Sequence, residues 1–402
     1  MFNILSLDGG GSWAILQLLT LKDRYGSATG HEILKKYDLV IANSGGSIIL
    51  AALAENWSLD DALSLFMDKK NRDSIFSLNS FKDRFFPVDY LRFFGLGLGP
   101  KYSSTRKIET FRKLFKEVDK RQLSELPGFI GKDSLKLVIC TYDALNNRAK
   151  FFKSYPSEST DFDSVKLTQA IHGSSNAPVQ YFDFPARFKA KNTEIYYELW
   201  DGALGGFNNP ILAGLIEAYK EKVKLEDIKV ISLGTGNKLM SMEAKDDFWS
   251  LKQISIQKRR KKLAFWYLLP QAKFFKETVL NQAKTILYQP PDWANYVAMM
   301  FLKATTNNKI EDQIIRLSPL IHIDSSTPKD TELLLRSLYD LDMDLTDDPD
   351  INKLMMCFSS WKKGEILNQP IEFKVKRNND LVSINGDKYY QNALNRWVNW
   401  GC

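Results

Sequence analysis

The chain has 402 residues but only three cysteines and three histidines, and both scarcities exclude chemistry. Cys140, Cys357 and Cys402 are odd in number and widely spaced. They supply no disulfide framework and no C-x-x-C metal pair, so a reducing compartment is expected. With so few thiols, His31, His172 and His322 cannot build zinc fingers. No run reaches the roughly 18 apolar residues that a spanning helix needs. No basic stretch followed by an apolar core opens the chain, so no secretion signal is read there. A phosphate loop of the G-K-[ST] type is missing, and no common DNA- or RNA-reading motif occurs. The expectation is a soluble, cytoplasmic protein with no nucleic-acid polymer as partner. It would meet any lipid from outside the bilayer, at the inner membrane surface.

What is present is ordinary globular composition with a basic balance. Hydrophobic residues make up 44% and charged residues 26%. The formal net charge is +7, which suits an acidic partner such as an anionic membrane. Short apolar runs alternate with helical patterns from the start. Strand 2–7 leads into a glycine loop and a helix over 12–25. Strand 37–42 leads into Ser44 and a helix apolar on every side, which predicts burial at the centre of the domain. Strand character returns at 135–141, 149–152, 195–200 and 230–233. This alternation predicts an α/β fold, a mainly parallel sheet covered on both faces.

Two glycine-flanked segments carry the chemistry. Asp8-Gly9-Gly10-Gly11 closes the first strand. Its backbone N–H groups are unshielded by side chains, which suits an oxyanion or a phosphate. A dinucleotide site would want an acidic residue ending the second strand, but Ala42-Asn43-Ser44 stands there. Ser44 occupies a strand-to-helix turn, Ala42-Asn43-Ser44-Gly45-Gly46, one methyl away from G-x-S-x-G. A serine needs a base and oxyanion donors to act as a nucleophile. The order Ser44, Asp201, His322 would fit a triad by sequence alone. However, too few strands precede Ser44 for the hydrolase fold that uses that order. Asp201-Gly202 ends an aromatic strand, where loss of solvation raises a carboxylate's basicity. Each motif alone is commonly just a turn.

Together they resemble the patatin-like phospholipase family. Asp8–Gly11 resembles its D-G-G-G-x-R-G oxyanion loop, Ala42–Gly46 its nucleophile turn, and Asp201-Gly202-Ala203 its D-G-[GA] motif. Ser174-Ser175-Asn176-Ala177-Pro178, Asn208-Asn209-Pro210 and Ser232-Leu233-Gly234-Thr235-Gly236 also fit, in the family's order. The resemblance implies a three-layer α/β/α fold and a lipid acyl hydrolase with a Ser44–Asp201 dyad. It implies oxyanion donors at Gly9, Gly10 and Gly11, and no cofactor or metal. Trp13 and Ala14 replace the family's Arg and Gly, which bears on loop anchoring, substrate shape or membrane contact. A catalytically inactive binding protein and a soluble small-ester or thioester hydrolase are the rival readings.

The catalytic domain is expected over 1–240, with 57–125 a helical insertion or lid. Residues 241–402 form a helical extension with a β-hairpin, packed on the same domain. The basic–aromatic stretch 252–276 is the candidate for peripheral membrane contact. Nucleotide-activated antiviral effectors among bacterial family members raise the question of a small-molecule activator, but no residue marks its site. Asp340-Leu341-Asp342-Met343-Asp344 resembles the opening of a calcium loop but lacks the glycine and glutamate that complete one. It is read as a solvated helix end.

Overall fold

A computed structural model of the chain describes residues 1–78, 100–156, 163–178, 181–238, 290–305, 313–323, 327–339, 341–369, 373–374, 381–382 and 386–402. The membrane-contact stretch 252–276 and part of the insertion, 79–99, lie outside the described residues.

Among the described residues the central sheet has eight strands. They are β1 (Phe2–Leu7), β2 (Leu39–Ala42), β3 (Lys136–Asp143), β4 (Arg148–Lys153), β5 (Ala186–Lys189), β6 (Tyr196–Asp201), β7 (Ile228–Leu233) and, past the short β8 (Asn237–Lys238), β9 (Ile314–Leu317). The order is β5-β6-β3-β2-β1-β7-β9, with β4 also on β3. Strands β3, β2, β1, β7 and β9 run parallel; β4, β5 and β6 are antiparallel to their neighbours. β1 leads to β2 on one side, and β7 leads to β9 on the other, so the direction of winding reverses between β1 and β7. Open α/β sheets hold their ligands at the carboxyl ends of the strands near such a point.

Alternating strand residues feed two cores. Leu5, Leu7, Val40, Ala42, Leu137 and Ile139 pack toward α1 (Ile15–Tyr25) and, past α2 (Gly30–Leu34), toward α3 (Ser44–Ala54). Ile4, Leu39, Ile41, Val138 and Val230 pack toward the helices Ile211–Lys220 and Pro290–Thr305. This is the three-layer arrangement that the strand–helix alternation predicts. Every residue of α3 is buried, as its all-round apolar pattern predicts. The helix expected over 12–25 begins instead with a tight turn at Gly11–Ala14, since the glycine loop leads directly into it.

Residues beyond 240 enter the same sheet. β9 pairs with β7 from Val230↔Ile314 to Leu233↔Leu317. β10 (Leu320–Ile321) pairs parallel with β8, and β11 (Phe373–Lys374) and β12 (Leu381–Val382) pair antiparallel. Among the described residues no helix is long and apolar enough to cross a membrane.

Candidate active site

The geometry starts from register. β1 and β2 end side by side, with Leu7 opposite Ala42, so the loops that follow them emerge together. β4 occupies one edge of β3 along Val138–Asp143. β2 takes the other edge at Lys136–Ile139, and β6 continues that edge at Thr141–Asp143. Ala42 is opposite Ile139 and Asp201 is opposite Thr141. The end of β6 therefore lies just past the end of β2, where the chain turns at Ser44.

Ser44 sits at φ 47°, a left-handed conformation that costs a non-glycine residue energy. Such a turn projects the side chain away from both strand and helix. Close packing holds it in place. A Cβ on Gly46 would stand 2.5 Å from the Leu7 carbonyl oxygen and 2.7 Å from that of Asp8. The start of α3 therefore rests directly on the end of β1. The Ser44 backbone N–H donates to Ser174 Oγ at 2.9 Å, and Ser174 Oγ donates to Asn43 Oδ1 at 3.3 Å.

Asp201 is buried. Its Oδ1 accepts from Asn43 Nδ2 at 3.0 Å and from the Ala203 N–H at 2.9 Å. Desolvation is the strongest influence on this carboxyl and pushes its pKa above the usual carboxylate range. The neighbouring Ser44 side chain and the hydrogen bonds from the Ala203 N–H and Asn43 oppose that rise, as does the nearby Lys107 charge. Glycine at 202 is required by contact, because a Cβ there would lie 2.4 Å from Asn43 Oδ1.

The glycine loop is anchored from several sides. Gly9 donates its N–H to the Asn208 carbonyl at 2.7 Å, and its own carbonyl accepts from Thr235 Oγ1 at 2.7 Å. Gly11 and Gly45 line the cavity that holds Ser44 and Asp201. The Gly9 N–H is thus engaged, and the groups beside the cavity are those of Gly11 and Gly45. Asp8 forms a buried ion pair with Arg316 of β9, Nη2 to Oδ2 2.6 Å, and Arg316 Nη1 reaches Ser232 Oγ at 2.8 Å.

The described part of the acidic stretch 340–344, residues 341–344, differs from its expected role as a solvated helix end. It lies against the glycine loop. Ser12 N–H donates to the Met343 carbonyl at 2.8 Å, and Trp13 Nε1 donates to the Asp342 carbonyl at 2.9 Å. Asp344 is buried and accepts from Lys101 Nζ at 2.9 Å and from the Tyr102 hydroxyl. Carboxylates too few for a calcium loop are used here as anchors. Trp13 is only 3% exposed, which makes it a loop anchor and removes it from membrane contact.

None of the three histidines lines the Ser44 cavity. His31 Nε2 meets the Ala54 carbonyl at 2.9 Å. His172 is buried, and desolvation, then Lys107 and Arg112, push its pKa well down.

Sequence reasoning brought out Ser44, Asp201 and the glycines but not Asn43, Ser174, Lys107 or Arg316. Asn43 and Ser174 lay inside recognised motifs, without a role. Lys107 and Arg316 lay in no motif at all.

The family model for patatin-like phospholipases matches residues 5–215. No curated protein sequence matches the chain. Among solved structures, VipD from Legionella pneumophila aligns at 14% identity and a TM-score of 0.35. That alignment covers 89% of this chain and 66% of VipD, so the chain spans just under two thirds of that protein's length.

Proposed function

The chain belongs to the patatin-like phospholipase family, and from that membership we propose that it cleaves fatty-acyl esters of membrane lipids with Ser44 as nucleophile and Asp201 as base. The family supports lipid acyl hydrolysis in general. The observation that carries the finer reading is that Ser44, on its left-handed turn, and the buried Asp201 carboxyl line one cavity.

In this reading, Asp201 takes the Ser44 proton as Oγ attacks the ester carbonyl carbon. Its elevated pKa makes it a better base than an exposed carboxylate. Asn43 and the Ala203 N–H hold Oδ1, which orients the carboxylate for that transfer. The tetrahedral oxyanion is met by the N–H group of Gly11, beside the expected donor Gly10, together with that of Gly45 at the start of α3, where the helix dipole adds positive potential. Gly9 contributes by position, its N–H being committed to Asn208. The proton returns from Asp201 to the leaving alcohol. A water, deprotonated by Asp201, then attacks the acyl-serine; the acyl–Oγ bond breaks, Ser44 takes the proton back from Asp201, and the fatty acid leaves. The net charge of +7 favours an anionic membrane as the place where the lipid is met.

The test is fatty-acid release from phospholipid vesicles by the wild type, Ser44→Ala and Asp201→Asn. Both variants are expected to lose on the order of a thousandfold or more in rate, as happens when residues act as one catalytic unit. A fluorophosphonate probe should label the wild type and not Ser44→Ala. Equal release by all three proteins would end this reading.

A further inference from the structure

Lys107 is a buried cation that the acyl-transfer steps leave unused. It is 0% exposed and lies in the first turn of the helix Ser104–Leu114. It lines the same cavity as Ser44 and Asp201. An ammonium carries three donors and no acceptor. One donor meets Asn176 Oδ1 at 2.9 Å. The Phe182 ring centroid lies 3.7 Å from Nζ, so a π-face covers a second direction. Among the described residues no carboxylate ion-pairs with it; Asp201 and Asp183 act on it at longer range.

That arrangement is costly for the empty protein. A buried charge is normally paired, and desolvation draws the Lys107 pKa well down. The cost is offset when a ligand supplies the missing negative oxygen. The cavity also constrains what the ligand can be. Lys107 lines the cavity that Ser44 lines, and in a glycerophospholipid the phosphodiester is only a few bonds from the scissile ester. Neutral glycerides carry no such group.

We propose that Lys107 is a substrate-binding residue that receives an anionic phosphodiester oxygen of a glycerophospholipid and thereby selects phospholipids over neutral glycerides. The proposal rests on the Ser44–Asp201 reading, because the ester must react in that same cavity. Asn176 holds the ammonium in place through its side chain, and its carbonyl accepts the Asp201 N–H at 3.1 Å. One residue thus couples the headgroup contact to the base. The ammonium also offsets the repulsion that Asp201 would exert on an incoming phosphate.

The experiment compares wild type, Lys107→Met, Lys107→Gln and Lys107→Arg in mixed detergent micelles. The lipids are phosphatidylglycerol and a diacylglycerol with the same acyl chains. Fluorophosphonate labelling of Ser44 reports whether each variant retains a formed site. The wild type should prefer phosphatidylglycerol. In Lys107→Met the ratio of kcat/KM for phosphatidylglycerol to that for diacylglycerol should fall about tenfold or more, as for a lost charge-assisted hydrogen bond. The loss should sit mainly in KM, and Lys107→Arg should restore part of it. If methionine prevents folding, the glutamine and arginine variants provide the same comparison. An unchanged ratio in a labelled Met or Gln variant overturns the proposal. A second arm adds inorganic phosphate to the diacylglycerol assay. If free phosphate alters the wild type but not Lys107→Met, while phosphatidylglycerol is not preferred, the ligand is free phosphate and the lipid assignment is overturned. A wild type that labels and cleaves both lipids equally overturns the selectivity alone. One that neither labels nor cleaves either lipid removes the hydrolase reading, and this proposal with it.

Discussion

At the scale of single residues, the burial that would make Asp201 a base in the proposed mechanism also costs stability. Its raised pKa means that the folded protein accommodates the ionised carboxylate less well than the unfolded chain does. The sign follows directly. Stability is fully present below the unfolded value, about 3.9 for an aspartate, and is lost as pH rises through the elevated folded value. Asparagine at 201 keeps an oxygen for Asn43 and the Ala203 N–H and carries no charge to desolvate. Asp201→Asn should therefore melt at a higher temperature than wild type near neutral pH, although Lys107 loses a favourable neighbour and trims the gain. The difference should shrink as pH falls through the carboxylate range. Calorimetry across pH checks this, and a wild type more stable than the variant at neutral pH would contradict it.

At the scale of elements, β9 is tied to the end of β1 by Arg316 and Asp8, both 2% exposed. Removing one partner of a buried pair leaves the other charge stranded, at a cost of roughly 3–5 kcal/mol. Arg316→Met should show a loss of that size in urea denaturation, and Asp8→Asn added to it should recover part. A single variant as stable as wild type would mean that the pair is solvated. The same element shows what was legible beforehand. β1, β2, β6 and β7 could be read because apolar runs end in glycine-bearing turns, β3 by its apolar run alone, and the motifs carrying Ser44 and Asp201 are contiguous. β9 could not be assigned to the sheet, because Ile314–Leu317 has no glycine turn or motif linking it to β7. Ser44 and Ser174 meet across 130 positions, and Asp8 and Arg316 across 308. Contacts of that separation arise from sheet order, which local periodicity does not encode. The place of the acidic stretch 340–344 is hidden for the same reason. Its carboxylates look solvated until the fold sets Tyr102 and Lys101 against Asp344.

At the scale of the whole molecule, the family match ends at residue 215, but the site does not end there. β9, Arg316 and the carbonyls of Asp342 and Met343 all lie beyond residue 240 and all hold the glycine loop or its flank. A chain cut after residue 240 would expose the β7 edge and the apolar surface that the later helices cover. It should sediment on expression and fail to label with fluorophosphonate, whereas the full chain labels. Soluble, fully labelled protein from the shortened chain would show that the first 240 residues fold alone.

The contacts of Ser12 and Trp13 with Met343 and Asp342 also impose an order in time. Translation delivers the glycine loop first and its clamp more than three hundred residues later. A nascent chain that has displayed Ser44 still lacks the strand and the carbonyls that fix the loop beside it. A ribosome that has released Ser44 therefore carries an unfinished site, which closes only once the segment around Asp342 and Met343 has emerged.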